Sequence, residues 1–364
     1  MNVFVSYHPE KMHTVSYLKT VKHDIFRIYQ DKFETNGIKI FDIPEEFNKD
    51  NVYQEKNIYY DFVINFVEKN INLEEHNFFF GFSPIGYDIF FKEKFEKLLN
   101  EKCFKIMWIE DPHAFYKRKT DFYEKNQDFN REELKDYRLE KTNVILTPSP
   151  IFFKNCHINY INKCLFFFYG INPQDDFFNK IKPFNERKNK ILLSGCISKR
   201  TYPSRFYVAN LIPKHNHFYK LYFEQLNHPG YVNTGKCDHS KTWFNYYDII
   251  QEYKVAFIGL AAPPLNFLLA KIIETLAVGT LALIEETPLL EKELGLKDGV
   301  HYVAVPFNKK LELPEKKIKE IFEDKDGTYR KIAENGRKHV LNEINLEKNF
   351  KKLKSLCIAL KNNI

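Results

Sequence analysis

The 364-residue chain reads as an α/β protein made of two open parallel-sheet units joined by one linker and closed by a helical tail. Three observations predict this. Short apolar runs alternate with helical patterns along most of the length, as in strand–helix–strand units whose sheet is covered on both faces. The alternation breaks once, across residues 170–189, where Asn172-Pro173, Lys182-Pro183 and a polar run interrupt it, and then it restarts. The charge balance changes sign near the same place, from −3 over residues 1–181 to +10 over residues 182–364. A sign asymmetry of this kind supports separate units and suggests that the second one handles an anion.

The elements follow in order. In the first half, apolar runs predict strands at 2–6, 38–42, 77–82, 104–109, 143–147 and 164–168, with helices between them at 53–69 and 87–99. The densely charged stretch 116–140 reads as an exposed helical excursion. After the break, a strand at 190–194 ends at Gly195 and a helix follows over 203–211. A less regular section spans 217–241. Strand 255–258, helix 265–277 and strands 280–284 and 301–305 come next, and the remainder is helical. The domain boundaries expected are 1–175, 186–344 and a terminal helix at 345–364 packing back toward the first domain.

Composition excludes several classes. Hydrophobic residues make up 44% of the chain, enough for two cores and too many for a disordered or low-complexity protein. The longest uncharged stretch, residues 255–270, is interrupted by Pro263 and Pro264 and is too short for a spanning helix, which needs about 20 apolar residues. The start of the chain lacks the basic and apolar regions of a signal peptide. Six cysteines with no Cys-x-x-Cys pair read as reduced thiols, so a cytoplasmic location is expected. Cys156-His157 and Cys237-Asp238-His239 lack a second pair at ligand spacing, so no metal site is expected. The net charge of +7 is too small to argue for a nucleic-acid partner.

Ligands of open α/β sheets bind beyond the carboxyl ends of the strands, so the candidates stand there. After strand 190–194, Gly195 lets another group approach the backbone closely, and Ser198, Lys199 and Arg205 supply donors and positive charge ahead of a helix that Pro203 can start. This suits a diphosphate; the alternative is an exposed basic loop. The apolar helix at 265–277 carries one narrow polar stripe, Lys271, Glu274 and Thr275. Either a carboxylate accepts from sugar or ribose hydroxyls with a lysine near phosphate, or Lys271 and Glu274 form an intrahelical pair worth a few tenths of a kcal/mol. Gly279 reads as the helix C-cap.

The segments "KIIETLAVGTLALIEE", "LGLKDGVHYVAV" and "YRKIAENGRKHVLNE" resemble the donor domain of group 1-type glycosyltransferases, and are most similar to the CgeB-like, spore-maturation branch. "LLSGCISKRTYPSR" resembles the opening of that domain, and "KIMWIEDPHAF", "NVILTPSP" and "CLFFFYGINPQDDF" look like the end of the acceptor-side domain. The resemblance implies a GT-B architecture, two facing Rossmann-like domains with a helical tail, and an enzyme that moves a sugar from a nucleotide-diphosphate donor to an acceptor hydroxyl on a glycan or glycoconjugate. It places Glu274 on donor ribose or sugar hydroxyls, Lys271 beside it, and Gly195 and Arg205 at the phosphate. Asn266 stands where many retaining members have a further Glu, which leaves the stereochemical outcome open. No cofactor and no metal are implied, because Lys, Arg and helix dipoles offset the charge of a leaving diphosphate. An inverting transfer needs a general base on the acceptor side. Asp111, with Glu110 and His113, follows strand 104–109 and is the first choice; His8 after the first strand is the second. Asp111-Pro112 also fits an ordinary turn. Ser83, at another strand end, is a candidate for acceptor contact or a structural residue. A nucleotide-sugar or glycan-binding protein of the same fold without activity is the rival reading. The basic tail reads as a solvated face, with contact to an anionic membrane less favoured.

Overall fold

The computed structural model describes residues 1–6, 25–42, 56–82, 92–109, 137–156, 158–214, 217–226, 244–262, 268–308 and 313–362. The chain divides into two compact units, residues 1–168 with 347–364, and residues 169–346. Each is built on a parallel sheet, as predicted.

Unit 1 contains β1 (Asn2–Ser6), β2 (Lys39–Asp42), β3 (Asn77–Phe82), β4 (Cys103–Trp108), β5 (Val144–Thr147) and β6 (Cys164–Phe166), ordered β2-β1-β3-β4-β5-β6. Every pairing is parallel. Phe78, Phe79 and Phe80 of β3 are all fully buried. Consecutive buried residues mean that both faces of this strand are covered, which explains the continuous apolar run in place of an alternating one. On one face, helix α1 (Lys56–Asn70) lays Tyr60, Val63, Ile64 and Val67 against Phe4, Phe79 and Phe95. That spacing is one face of a 3.6-residue period. Each such aromatic, fully buried, contributes roughly 1.5–3 kcal/mol of transfer free energy.

Unit 2 contains β7 (Lys188–Ser194), β8 (Phe223–Leu226), β9 (Tyr253–Ile258), β10 (Leu281–Glu285) and β11 (Val303–Val305), ordered β11-β10-β9-β7-β8 and again parallel throughout. Its helices include α2 (Pro203–Lys214), α3 (Phe244–Gln251), α4 (Ala270–Ala277), α5 (Leu289–Leu294), α6 (Glu315–Glu323) and α7 (Thr328–Glu343). One core cluster joins Ile191 and Leu193 of β7, Val255 and Phe257 of β9 and Leu281 and Leu283 of β10 to Val208, Ile318, Ile321 and Ile332 of the covering helices. Helix α4 is shorter at its start than the apolar pattern predicts. Leu268 is buried and Leu269 is extended, so the helix begins at Ala270. Apolarity set the burial of Leu268 and not its backbone. Gly279 ends the turn after α4 with φ of +67°, and its N–H and that of Thr280 return to the carbonyls of Leu276 and Thr275.

The last helix, α8 (Leu346–Asn362), clusters with unit 1 from Glu347 onward. Phe350 stacks on Tyr29 and meets Phe33 edge-on, with ring centroids 5.2 and 4.6 Å apart, and the Asn349 amide donates to the Phe168 carbonyl at 2.9 Å. Among the described residues no helix is long and apolar enough to cross a membrane.

The strand order locates the places where a ligand fits. In unit 2 the chain starts at β7, steps to β8 on one side, then crosses to β9 on the other. Connections therefore leave β7 and β9 in opposite directions and open a crevice beyond Ser194 and Ile258. In unit 1 the same reversal lies between β1 and β3.

Candidate functional site

Four segments bring polar side chains to the β7/β9 reversal. β7 ends at Ser194, which is buried, and the chain turns at Gly195 with φ of +100°. A Cβ on Gly195 would lie 2.6 Å from Lys271 Nζ and 2.8 Å from an Nη of Arg205. The backbone conformation favours glycine, and any side chain there would push the two cationic tips aside. Two cations from different helices thus converge on one bare stretch of backbone: Arg205 from the first turn of α2 and Lys271 from the first turn of α4.

Each cation is held by neutral partners. Arg205 is buried, donates from Nε to the Gly259 carbonyl at 2.9 Å, and lies over the Tyr202 ring at 3.9 Å from its centroid. Lys271 donates to Ser194 Oγ at 3.0 Å, and that hydroxyl is 2.8 Å from the Tyr246 hydroxyl on α3. Lys271 also faces the Tyr246 ring at 5.5 Å. Among the described residues, no carboxylate comes within ion-pair distance of either cation. The Lys271–Glu274 pair that the sequence left open is therefore not the main contact of this lysine, which turns to Ser194 instead.

The electrostatics follow from this crowding. Burial, with the Arg205 charge beside it, pulls the Lys271 amine down to about 7, and Glu274 opposes the shift. Burial also lowers Arg205, with Tyr202, Tyr246, Cys196 and Glu285 acting against it, and pushes the Tyr246 phenol well above its ordinary range. Two cations in low dielectric with no carboxylate at ion-pair distance among the described residues, Glu274 and Glu285 acting on them only through space, attract an anion. The geometry can bind a phosphate or diphosphate through a guanidinium fork, an ammonium and the backbone at Gly195.

The remaining predicted residues fall around this centre. Ser198 folds its own turn: its Oγ accepts the Thr201 N–H at 3.1 Å and donates to Thr201 Oγ1 at 3.3 Å. Lys199 is exposed beside it. Glu274 is half-buried, one turn after Lys271 on α4, and Thr275 is buried on the inner side of that helix. Asn266, His8, Ser83, Glu110, Asp111, His113, His157 and the Cys237-Asp238-His239 stretch lie outside the described residues. Of the strands they follow, β1 and β3, which precede His8 and Ser83, are the two that flank the unit 1 reversal. Sequence reasoning missed Tyr246, Gly259 and Glu285. The only local signal for Gly259 is its place after the buried strand β9, and Tyr246 and Glu285 carry none.

With the geometry in place, the comparisons with known proteins are specific about fold. None of the known protein-family models matches the chain, and no curated protein matches it. Solved structures do, over nearly the full length. Sucrose-phosphate synthase from Thermosynechococcus elongatus superposes with a TM-score of 0.57 at 12% identity, covering 100% of this chain and 99% of that one. Anabaena HepE, solved with UDP and glucose, gives 0.54 at 11% identity, covering 98% and 99%. An α-glucosyltransferase in complex with UDP and a 13-mer DNA gives 0.55 at 12% identity, also covering 98% and 99%. The fold is therefore that of the GT-B glycosyltransferases.

Proposed function

We propose that the protein is a glycosyltransferase that moves a sugar from a nucleotide-diphosphate-sugar to an acceptor hydroxyl on a glycan or glycoconjugate. One observation carries the reading: Arg205 and Lys271 converge on Gly195 at the β7/β9 reversal with no carboxylate partner among the described residues. On this reading the two cations hold the diphosphate, Glu274 with Thr275 and Asn266 serves the ribose and sugar side, and Ser198 and Lys199 shape and charge the turn next to it. The departing diphosphate is stabilised by Arg205 and Lys271, so transfer proceeds without a metal. For an inverting transfer the base that deprotonates the acceptor is Asp111, with Glu110 and His113 beside it in sequence and His8 the second choice, and His8 and Ser83 contribute to the acceptor side. The near-neutral charge of residues 1–181 supports a carbohydrate acceptor over a nucleic acid, whose phosphates would call for a basic face. The run of motifs from Lys271 to Glu343 supports the CgeB-like branch, and the cysteine pattern supports a cytoplasmic location.

The test is a panel of UDP-, GDP-, dTDP- and CDP-sugars scored by thermal shift and by hydrolysis or transfer. One nucleotide class is expected to stabilise the wild type and to lose its effect in Glu274→Ala. Asp111→Asn is expected to abolish turnover and leave donor binding intact. No stabilisation by any nucleotide contradicts the proposal. Stabilisation without hydrolysis or transfer, acceptor lysate included, identifies a binding protein of the same fold.

A further inference from the structure

The peptide that joins Gly259 to Leu260 is held from both sides. Its carbonyl accepts from Arg205 Nε at 2.9 Å, and its N–H donates to Glu285 Oε2 at 2.8 Å. The same Glu285 oxygen accepts the Ser204 hydroxyl at 2.6 Å, and Ser204 immediately precedes Arg205. The contacts therefore close a ring that runs from Arg205 through the peptide to Glu285, on to Ser204 and back along the chain. The ring is tight: a Cβ on Gly259 would lie 2.3 Å from Ser204 Oγ and 2.7 Å from Arg205 Cγ. Glu285 is the last residue of β10, so the ring ties the guanidinium to the sheet. Arg205 spends only Nε on the ring, and one Nη faces Gly195.

We propose that Glu285 is a positioning residue for the anion site: it fixes the Gly259–Leu260 peptide and Ser204 together, and through them sets where the Arg205 guanidinium stands. This rests on the reading that Arg205 and Lys271 bind a diphosphate. Glu285 itself touches no phosphate. Both of its bonds end on one oxygen, so glutamine, with its amide oxygen in that place, keeps the ring and loses only the charge. Alanine loses the ring.

The experiment measures the Kd of UDP and of uridine by titration calorimetry for wild type, Glu285→Ala and Glu285→Gln. Glu285→Ala is expected to weaken UDP roughly tenfold while leaving uridine unchanged, as for loss of one well-placed charged contact at the phosphate. Glu285→Gln is expected to restore UDP binding to within about threefold of wild type. Equal loss for UDP and uridine, or a glutamine variant as weak as alanine, overturns the positioning role. So does an alanine variant that binds UDP like wild type. If Glu285→Ala does not fold, Ser204→Ala, which removes one of the two bonds, is expected to weaken UDP selectively by about threefold, and no selective loss overturns the proposal. A wild type that binds none of UDP, GDP, dTDP and CDP overturns the diphosphate reading itself, and is thereby told apart from failure of the positioning role alone. Where another of these binds in place of UDP, the same variants are compared with that diphosphate and its nucleoside.

Discussion

The two sheets share a strand-order pattern, since each begins on an inner strand, steps once to one side and crosses to the other, but they treat buried cations differently. In unit 1 the buried Lys105 of β4 is met by Glu96, which also holds Lys141. In unit 2 Arg205 and Lys271 meet a carbonyl, a hydroxyl and aromatic faces. A buried cation with its carboxylate is a closed structural unit, because the cost of desolvation is offset inside the protein. Two converging cations with no carboxylate at ion-pair distance among the described residues, at a strand-order reversal, fit the proposed reading in which a ligand supplies that offset. A missing carboxylate is not enough by itself, because buried Arg187 in unit 2 is held by the Lys182 and Val278 carbonyls and the Thr280 hydroxyl away from the carboxyl ends of the strands. It is the place at the strand-order reversal that sets Arg205 and Lys271 apart.

The comparison can be broken by substitution at either end. The largest effect on UDP affinity is expected from Lys271→Met, a loss of roughly 10- to 100-fold measured by calorimetry, since a charge-assisted contact in a buried site contributes about 1.5–3 kcal/mol. Gly195→Ala comes next. Its methyl would occupy the space of both cations, and φ of +100° adds backbone strain of order 1–3 kcal/mol, so a loss near tenfold with lowered thermal stability is expected. The pH dependence is smaller per unit. Lys271 has its pKa lowered to about 7 in the empty protein, so above pH 7 it must take up a proton to meet a diphosphate. UDP affinity should fall as pH rises above 7, by at most about tenfold per unit, and Lys271→Arg should flatten the slope. Linkage to folding has the opposite sign. The unfolded chain binds the Lys271 proton up to about 10.5, so this group's contribution to stability is full above that value and is lost as pH falls toward 7. The smallest effect on affinity belongs to Lys105→Met. It should leave UDP binding unchanged while costing about 1–2 kcal/mol of stability in urea melts, because Glu96 loses one of its two lysines and keeps Lys141.

Much of the fold was legible because parallel strands buried on both faces produce continuous apolar runs. β1 and β3 start and stop where their runs do. β8 (Phe223–Leu226) was not legible: only Phe223 is fully buried on this edge strand, and a four-residue segment with Glu224 and Gln225 carries no apolar run. At the site, Gly195, Arg205 and Lys271 were legible because charge and glycine beside strand ends are local signals. The partner of Lys271 was not, since Ser194 meets it from 77 residues away. Glu285 looks like any surface acid in sequence. Its role is made by Leu260 and Ser204, which only folding brings to it.

The β7/β9 reversal of unit 2 is proposed as a diphosphate site, and a crystal structure of the protein with UDP probes it at the atoms concerned. The expected result is phosphate density within hydrogen-bond distance of Arg205 Nη, Lys271 Nζ and the backbone at Gly195, with the ribose toward Glu274. Density for UDP elsewhere, with Arg205 and Lys271 still bonded only to Gly259 and Ser194, would contradict it.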